Sequence, residues 1–190
     1  MKYRSELILF ILILSALSLV QGKSLKPLDG SRPNIIFVLT DDQGMGDLSC
    51  MGNQILRTPN IDNLYKAWTR FTDFQVSPTC SPTRAAIMSG RLPFEVGVSH
   101  TLMQRDRLAP EVITFPEALQ KGGYQTGLFG KWHLGDADPY QPHNRGFDEA
   151  FIHGAGGIGQ KYAGTCADAP DNSYFDPIIK HNNVFVKTTG

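Results

Sequence analysis

One cysteine, Cys80, lies in the stretch SPTCSPTR, directly before an alanine-rich run with the composition of a helix. Ser81 can act as an N-cap, Pro82 can occupy the first turn and Gly90 can end the helix. Cys80 is therefore expected just outside the helix N-terminus, where the helix dipole and free amide groups favour a thiolate and bind anions. Arg84 is expected to point back at Cys80 and at an anion bound there, because helical side chains slant toward the N-terminus. The alternative is an inert, half-buried thiol.

Two adjacent carboxylates, Asp41 and Asp42, follow the apolar run NIIFVLT, which spans Asn34–Thr40. Aspartates after a strand are often turn residues, because the side chain bonds readily to its own backbone, and this interpretation stays open. Two carboxylates beside an anion site also suit a hard divalent cation. Calcium takes about six to eight oxygen ligands, so further ligands must come from elsewhere.

The segment GKWHLG places Lys131 and His133 two residues apart. In an extended chain both side chains face the same side while Trp132 packs away from them. A surface lysine and a structural histidine would be the simpler interpretation if the segment stood alone. Its position after a predicted strand favours a functional role.

These residues are positioned by alternating strands and helices, which predict an α/β sheet. The predicted elements are a strand at Asn34–Thr40, a helix opening at Thr58 and Pro59, a strand near Phe71–Val76, a helix near Phe115–Lys121, a strand at Tyr124–Phe129 and a C-terminal hairpin turning at Asn182 and Asn183. Such sheets bind ligands beyond the carboxyl ends of their strands, where the aspartate, cysteine and lysine–histidine clusters all fall.

A glycine-rich motif, GAGGIG at Gly154–Gly159, fits the dinucleotide pattern GxGxxG but is not followed by an amphipathic helix. We therefore expect a loop. The remaining histidines show no metal-ligand spacing and are expected to be solvated or structural: His100, His143, His153 and His181.

The N-terminus carries Lys2 and Arg4, followed by an unbroken apolar run at Leu7–Val20. This pattern predicts a secretory signal peptide over residues 1–22, with Lys23 as the first mature residue, and an exported protein without a stable membrane anchor. An uncleaved anchor is the alternative.

The composition of the rest is that of a globular domain. Over the whole chain, basic and acidic residues both number 18, so the formal net charge is zero and no nucleic-acid partner is expected. Three cysteines, Cys50, Cys80 and Cys166, are too few for a disulfide scaffold. Whether Cys50 pairs with Cys166 stays open.

Three motifs in the same order resemble those of the type I sulfatases: FVLTDDQGMGDL, CSPTR and GKWHLG. The resemblance covers nearly all of the exported chain. It implies an α/β, alkaline-phosphatase-like sulfatase fold with a mostly parallel central sheet flanked by helices.

The resemblance further implies that Cys80 is oxidised to formylglycine by a maturation enzyme that reads Pro82 and Arg84, and that Arg84 then helps to hold the modified side chain. The aldehyde hydrates to a geminal diol, one oxygen of which coordinates a single Ca²⁺ together with Asp41 and Asp42. The diol attacks the sulfur, and after the alcohol leaves, its second hydroxyl expels sulfate by re-forming the aldehyde.

In the same resemblance, Lys131 and His133 bind the sulfate and the modified side chain. Further family residues, among them an Asp and Asn pair of the metal shell, normally come after residue 190. The resemblance therefore implies that residues 23–190 form the N-terminal part of a sulfatase catalytic domain, incomplete at its C-terminus, with the remaining calcium ligands beyond residue 190. The exported compartment is periplasmic, secreted or lysosomal/ER lumenal.

Three functions stay open. The expected one is hydrolysis of a sulfate ester on a carbohydrate, aryl or alkyl alcohol. A phosphonate or phosphodiester hydrolase of the alkaline-phosphatase superfamily is the second, because some of these also carry CxPxR. The third is an inactive product in which Cys80 stays a thiol.

Overall fold

The computed structural model describes residues 30–102, 104–160 and 165–190. The chain divides into two compact units, residues 1–40 and residues 41–190. The signal peptide predicted for residues 1–22 lies outside the described residues. In the described part of the chain, no helix combines the length and the apolar character needed to cross a bilayer.

The described residues of the first unit, 30–40, form neither helix nor strand. The strand predicted at Asn34–Thr40 is therefore wrong, and apolar side chains such as Ile36 and Val38 are largely exposed. An apolar run indicates that its side chains favour burial. A strand forms only where its backbone groups pair with those of a neighbouring strand, and the run itself does not specify that partner. The described sheet does not include this run.

Helices in the described ranges are three α-helices, α1 (Pro59–Ala67), α2 (Cys80–Ser89) and α3 (Phe115–Lys121), and short 3₁₀ helices at Met45–Asp47, Ser49–Met51, Pro93–Val96, Asp138–Tyr140 and Pro142–Asn144. Helix α1 begins with a proline directly after Thr58. Helix α3 begins after Thr114, whose side chain and that of Glu117 cap each other's backbone amides. Both helices are confirmed.

Helix α2 differs from its prediction by one residue at its start. Thr79, not Ser81, takes the N-cap position, so Cys80 is the first helical residue. Gly90 ends the helix in the left-handed conformation (φ 66°), as its sequence predicts.

The sheet has four described strands in the order β1 (Gly127–Lys131), β2 (Glu149–His153), β3 (Ile178–His181) and β4 (Val184–Lys187). Strands β1 and β2 are parallel, whereas β2–β3 and β3–β4 are antiparallel. The described sheet is therefore mixed, where the resemblance implies a mostly parallel one. The predicted hairpin is confirmed: Asn182 (φ 43°) and Asn183 (φ 71°) adopt the positive φ values of a two-residue turn between β3 and β4.

Two strand predictions need correction. The strand predicted at Tyr124–Phe129 begins later, at Gly127, and continues through Lys131. The strand predicted at Phe71–Val76 is wrong, because these residues have no strand assignment and both phenylalanines in the segment are mostly exposed. Aromatic and β-branched composition favours a strand but does not supply the partner that the backbone needs.

The apolar core packs α2 and the segments that follow it against the parallel pair β1–β2. Ala85 and Met88 of α2 belong to the same buried cluster as Trp132, Phe147 and Ile152. The rings of Trp132 and Phe147 meet edge to face with centroids 6.0 Å apart. This core holds the N-terminal half of α2 and the C-terminal end of β1 in fixed positions.

Candidate active site

Helix α2 is joined to the end of β1 by a buried arginine. Arg84 is 8% exposed, and its Nη1 donates a hydrogen bond to the backbone carbonyl of Lys131, the last residue of β1, at 2.5 Å. Burial lowers the pKa of the Arg84 guanidinium. Arg84 is not among the residues that line the cavity described below, and its expected contact with a bound anion stays a prediction. Arg84 fixes the backbone that carries Lys131.

Cys80 and His133 are in direct contact. The Cys80 Sγ atom lies 3.2 Å from His133 Nδ1, and His133 Nε2 lies 2.8 Å from the backbone carbonyl oxygen of Thr101. A carbonyl can only accept, so Nε2 carries the hydrogen and Nδ1 faces Cys80 with its lone pair. Burial lowers the pKa of His133 to about 4, so the ring is neutral near pH 7.

Lys131 forms an ion pair with the first of the two aspartates. Its Nζ atom lies 3.1 Å from both carboxylate oxygens of Asp41, and the lysine side chain is only 8% exposed. Trp132 is buried on the opposite side, where its indole nitrogen donates to the carbonyl of Tyr140. The predicted division of GKWHLG, with Lys131 and His133 on one side and Trp132 on the other, is confirmed.

These side chains share one cavity of about 530 Å³. Its wall includes Asp41, Asp42, Cys80, Lys131 and His133. Of the sequence-predicted site residues, the structure brings these five together on the wall, and Arg84 is not among the lining residues. A cavity of this size falls within the range of small-molecule sites, about 300–1,000 Å³.

The two aspartates are of the ligand type that calcium prefers, but they are too few to form its ligand shell. Carboxylate oxygens are its preferred ligands, yet both oxygens of Asp41 already contact Lys131. Asp42 adopts a left-handed backbone conformation (φ 53°), which agrees with the turn interpretation. Among the described residues, no group of three or more His, Cys, Asp and Glu side chains is arranged to hold a metal. The described residues therefore do not form a complete calcium site.

The glycine-rich segment is a loop, as its sequence predicts, and it forms part of the cavity wall. A Cβ atom added at Gly156 would lie 3.0 Å from His133 Cε1. At Gly157 it would lie 2.6 Å from the hydroxyl of Tyr174. The absence of side chains at these two positions lets the loop backbone lie close to His133 and to the Tyr174 hydroxyl.

Sequence reasoning missed several residues of the same wall, among them Asp106, Asp136 and Gln160. Asp106 and Asp136 are buried although both are acidic. Neither belongs to a spaced motif, so only their position in the fold identifies them. Cys50 and Cys166, whose pairing the sequence leaves open, are both free.

Comparison with known proteins gives consistent matches. A family model described as Sulfatase matches residues 33–183. Arylsulfatase G of Canis lupus familiaris is 40% identical over 144 residues, which cover 74% of this chain and 26% of that protein. The crystal structure of Ps i-CgsB matches with a TM-score of 0.66 at 31% identity, over 78% of this chain and 36% of that chain.

A second solved structure, that of BT4656 in complex with D-glucosamine-2-N,6-O-disulfate, matches with a TM-score of 0.65 at 31% identity. The match covers 84% of this chain and 28% of that chain. The present chain thus spans about a quarter of the length of the curated relatives that it matches.

Proposed function

This chain belongs to the sulfatase family, and we propose on that basis that the protein hydrolyses sulfuric esters of a carbohydrate, aryl or alkyl alcohol. Its α/β structure is part of the alkaline-phosphatase-like sulfatase fold. The observation that carries the proposal is the convergence of Cys80, His133, Lys131 and the two aspartates on one cavity. Disulfated glucosamine in the similar BT4656 structure supports the carbohydrate as one of these alcohols.

The nucleophile is proposed to come from Cys80. Its position in the first turn of α2 places it at the positive end of the helix dipole, on the cavity wall and within reach of a basic nitrogen. When Cys80 is oxidised to formylglycine, the hydrate of the aldehyde supplies an oxygen nucleophile for attack at sulfur. The maturation enzyme that makes this change is a proposed partner, since CSPTR carries the cysteine, proline and arginine of its signal.

His133 is proposed to accept a hydrogen bond from the side chain at position 80. Its neutral ring presents Nδ1 to that side chain while Thr101 fixes the other nitrogen. The imidazole can therefore accept a hydrogen bond from a hydroxyl at position 80 and orient it for attack. The contact with Thr101 keeps the ring in this tautomer.

Lys131 is proposed to bind the sulfate group. Among the described residues that line the cavity, Lys131 is the only lysine or arginine. Its ammonium is held in place by Asp41. A fixed positive charge aimed at the sulfuryl oxygens stabilises the charge that develops during transfer. Arg84 acts indirectly, because its hydrogen bond to the Lys131 carbonyl sets the position of that lysine.

Calcium is proposed to use Asp41, Asp42 and the modified residue 80 as part of a larger ligand set. Because the described residues do not complete such a site, none of the steps above depends on the ion. The export signal of residues 1–22 likewise remains a proposal, which rests on the sequence pattern.

Mass spectrometry of the tryptic peptide 71–84 tests the proposal after expression in a host with the maturation system. The expected result is loss of the thiol mass and appearance of the aldehyde. An intact thiol in such a host would contradict the sulfatase mechanism and favour the inactive product. Parallel assays of the active enzyme with 4-nitrophenyl sulfate and an aryl phosphonate ester distinguish the two hydrolase functions, and faster turnover of the phosphonate would favour the competing one.

A further inference from the structure

The cavity contains a buried carboxylate, Asp106, that the proposed chemistry does not use. Asp106 is 8% exposed, and its Oδ1 atom is buried without a hydrogen-bond partner among the described residues. Burial raises the pKa of this carboxyl, and the nearby negative charge of Asp136 raises it further. Buried polar atoms are nearly always paired, so an unpaired acceptor at a cavity wall indicates that a ligand supplies the donor.

The neighbouring carboxylate is already occupied. Asp136 Oδ2 accepts hydrogen bonds from the backbone amide of Cys166 at 3.0 Å and from the hydroxyl of Thr165. Its Oδ1 atom lies 3.6 Å from the Arg107 guanidinium. Asp136 thus fixes this wall, whereas the Oδ1 atom of Asp106 has no partner among the described residues. Two negative charges also repel a second anion, so the ligand part bound here carries donors and no acidic group.

The position of Asp106 is tied to the reacting end of the cavity. Asp106 lies on the loop that also carries Thr101, whose carbonyl binds His133. A backbone hydrogen bond from Ser99 to Arg105 (2.9 Å) closes this loop, and one from Leu108 to Leu134 (3.2 Å) joins it to the segment after β1. Asp106 and Lys131 line the same cavity, so a ligand with its sulfate at Lys131 can present its alcohol to Asp106.

The rest of this wall is neutral and open. Gln160 offers an amide, and Tyr174 offers an aromatic ring that is 63% exposed. Because Gly156 and Gly157 lack side chains, their backbone lies close to His133, Gln160 and the hydroxyl of Tyr174. A carboxylate, an amide and an exposed aromatic ring suit an alcohol with several hydroxyl groups and an apolar face, which is the chemistry of a sugar ring.

We propose that this wall is a saccharide subsite, in which Asp106 accepts hydrogen bonds from hydroxyl groups of the sugar that carries the sulfate ester. The inference rests on the proposed sulfatase function and narrows its substrate class. An aryl or steroid sulfate without such hydroxyls would leave the buried carboxylate unpaired, which a sugar does not. Asp106 is thus a substrate-binding residue and takes no part in the transfer of sulfate.

The test compares wild-type enzyme with formylglycine at residue 80, the variants Asp106→Ala and Asp106→Asn, and the matched control Asp73→Ala. Asp73 is an exposed carboxylate outside the cavity. The substrates are 4-nitrophenyl sulfate, a panel of hexose and N-acetylhexosamine monosulfates, and deoxy analogues of the best sugar. Thermal melting of each variant shows that it is folded.

The wild type should hydrolyse a sugar sulfate. Asp106→Ala should lower kcat/KM for that sugar sulfate about 10- to 100-fold more than it lowers kcat/KM for 4-nitrophenyl sulfate. This is the loss expected when a hydrogen bond to a charged group is removed. Asp106→Asn should fall between wild type and Asp106→Ala. With the wild type, one deoxy analogue should show a similar loss of kcat/KM relative to the parent sugar sulfate. Asp106→Ala should show no additional loss with that analogue. The control Asp73→Ala should behave as the wild type. The comparison of the deoxy analogues with the wild-type enzyme does not require any variant to fold.

Three results would overturn the subsite. One is an equal change of both substrate classes in Asp106→Ala, or no change, with sulfate release intact. The second is a wild type that hydrolyses 4-nitrophenyl sulfate but no sugar sulfate. Both leave the sulfatase function standing. The third is a matured enzyme that releases sulfate from no ester, which defeats the proposed function and the subsite together.

Discussion

The chemistry at residue 80 depends on which atom of His133 faces it. The Thr101 carbonyl binds Nε2, so Nδ1 is left as an acceptor 3.2 Å from Cys80 Sγ. Because burial lowers the pKa of His133 to about 4, the ring does not compete with Lys131 as a cation near neutral pH. The two residues of GKWHLG thus have separate proposed roles. Lys131 binds the anion, and His133 orients the nucleophile.

Replacement of Cys80 with alanine should abolish sulfate release without unfolding the protein. The side chain lies at the start of α2 on a cavity wall, so its removal eliminates the proposed nucleophile but little core packing. The assay is sulfate release, with circular dichroism as the folding check. Cys50→Ala is the matched control, because Cys50 is also a free cysteine but does not line the cavity. Activity in Cys80→Ala would contradict the assignment.

Asp106→Asn should raise the free energy of unfolding at neutral pH. Burial raises the pKa of the folded-state carboxyl above its unfolded value, so the charged form is disfavoured in the folded protein, and the uncharged amide removes this cost. As the pH falls through the folded-state pKa and then the unfolded one, the wild-type carboxyl is protonated and the advantage of the amide should shrink. Urea unfolding at neutral and acidic pH measures the difference. A variant less stable than wild type at neutral pH would show that the carboxylate has a stabilising partner.

At the scale of elements, the sequence predicts structures whose signals are local. Helix α3 is predicted because two glycines, Gly122 and Gly123, stop it after Lys121, and the hairpin because Asn182 and Asn183 tolerate positive φ. The predictions at Asn34–Thr40 and Phe71–Val76 are wrong because a strand also needs a partner, and the sequence of one segment does not specify it.

The same distinction applies to the candidate site. Cys80, Lys131 and His133 are predicted from motifs and do meet at one cavity. Asp106 is not predicted, because its significance comes from burial and from the missing partner of one oxygen, which depend on tertiary packing. The contact of Arg84 with the Lys131 carbonyl also depends on how α2 packs on β1.

The contact between α2 and β1 is testable through Arg84. Arg84→Met keeps a long side chain but removes the donor to the Lys131 carbonyl. An unpaired buried carbonyl costs about 1–3 kcal/mol, so the free energy of unfolding should fall by that amount. Sulfate release should fall as well, because Lys131 is no longer fixed. Arg91→Met is the control, since Arg91 is exposed directly after the same helix. Equal stability of the two variants would mean that the hydrogen bond contributes nothing.

At the scale of the whole molecule, the chain covers about a quarter of its curated relatives, yet residues 41–190 already assemble much of one cavity. The parallel pair β1–β2 and helix α2 are sufficient to bring together residues separated by more than fifty positions in the sequence. The proposed nucleophile, anion-binding lysine and orienting histidine are therefore in place within this part of the fold. The proposed calcium site is not.

Export is a property of the whole protein that the sequence predicts. The apolar run Leu7–Val20 is shorter than the roughly 20 residues of a membrane-spanning helix, and small residues follow it. Lys23 is therefore expected at or within a few residues of the mature N-terminus. N-terminal sequencing of exported protein measures this. Recovery of intact Met1 in a membrane fraction would favour the uncleaved anchor instead.

The present chain should bind calcium only in about the millimolar range, as weak oxygen-ligand sites do. Asp41 and Asp42 provide part of a ligand shell, and the ammonium of Lys131 occupies both oxygens of Asp41. A cation must displace this lysine or bind beside its positive charge, and either lowers the affinity. Lys131→Met should therefore tighten calcium binding several-fold, whereas the same change at the exposed Lys121 should not.

Calorimetric titration with calcium chloride measures these affinities, and Asp42→Asn should weaken binding further because it removes a carboxylate from the cavity wall. Micromolar binding by the unaltered chain would mean that residues 1–190 complete the shell themselves. Unchanged affinity in Lys131→Met would mean that Asp41 is not a ligand. In the second case the calcium site would have to be assigned to residues other than the pair after NIIFVLT.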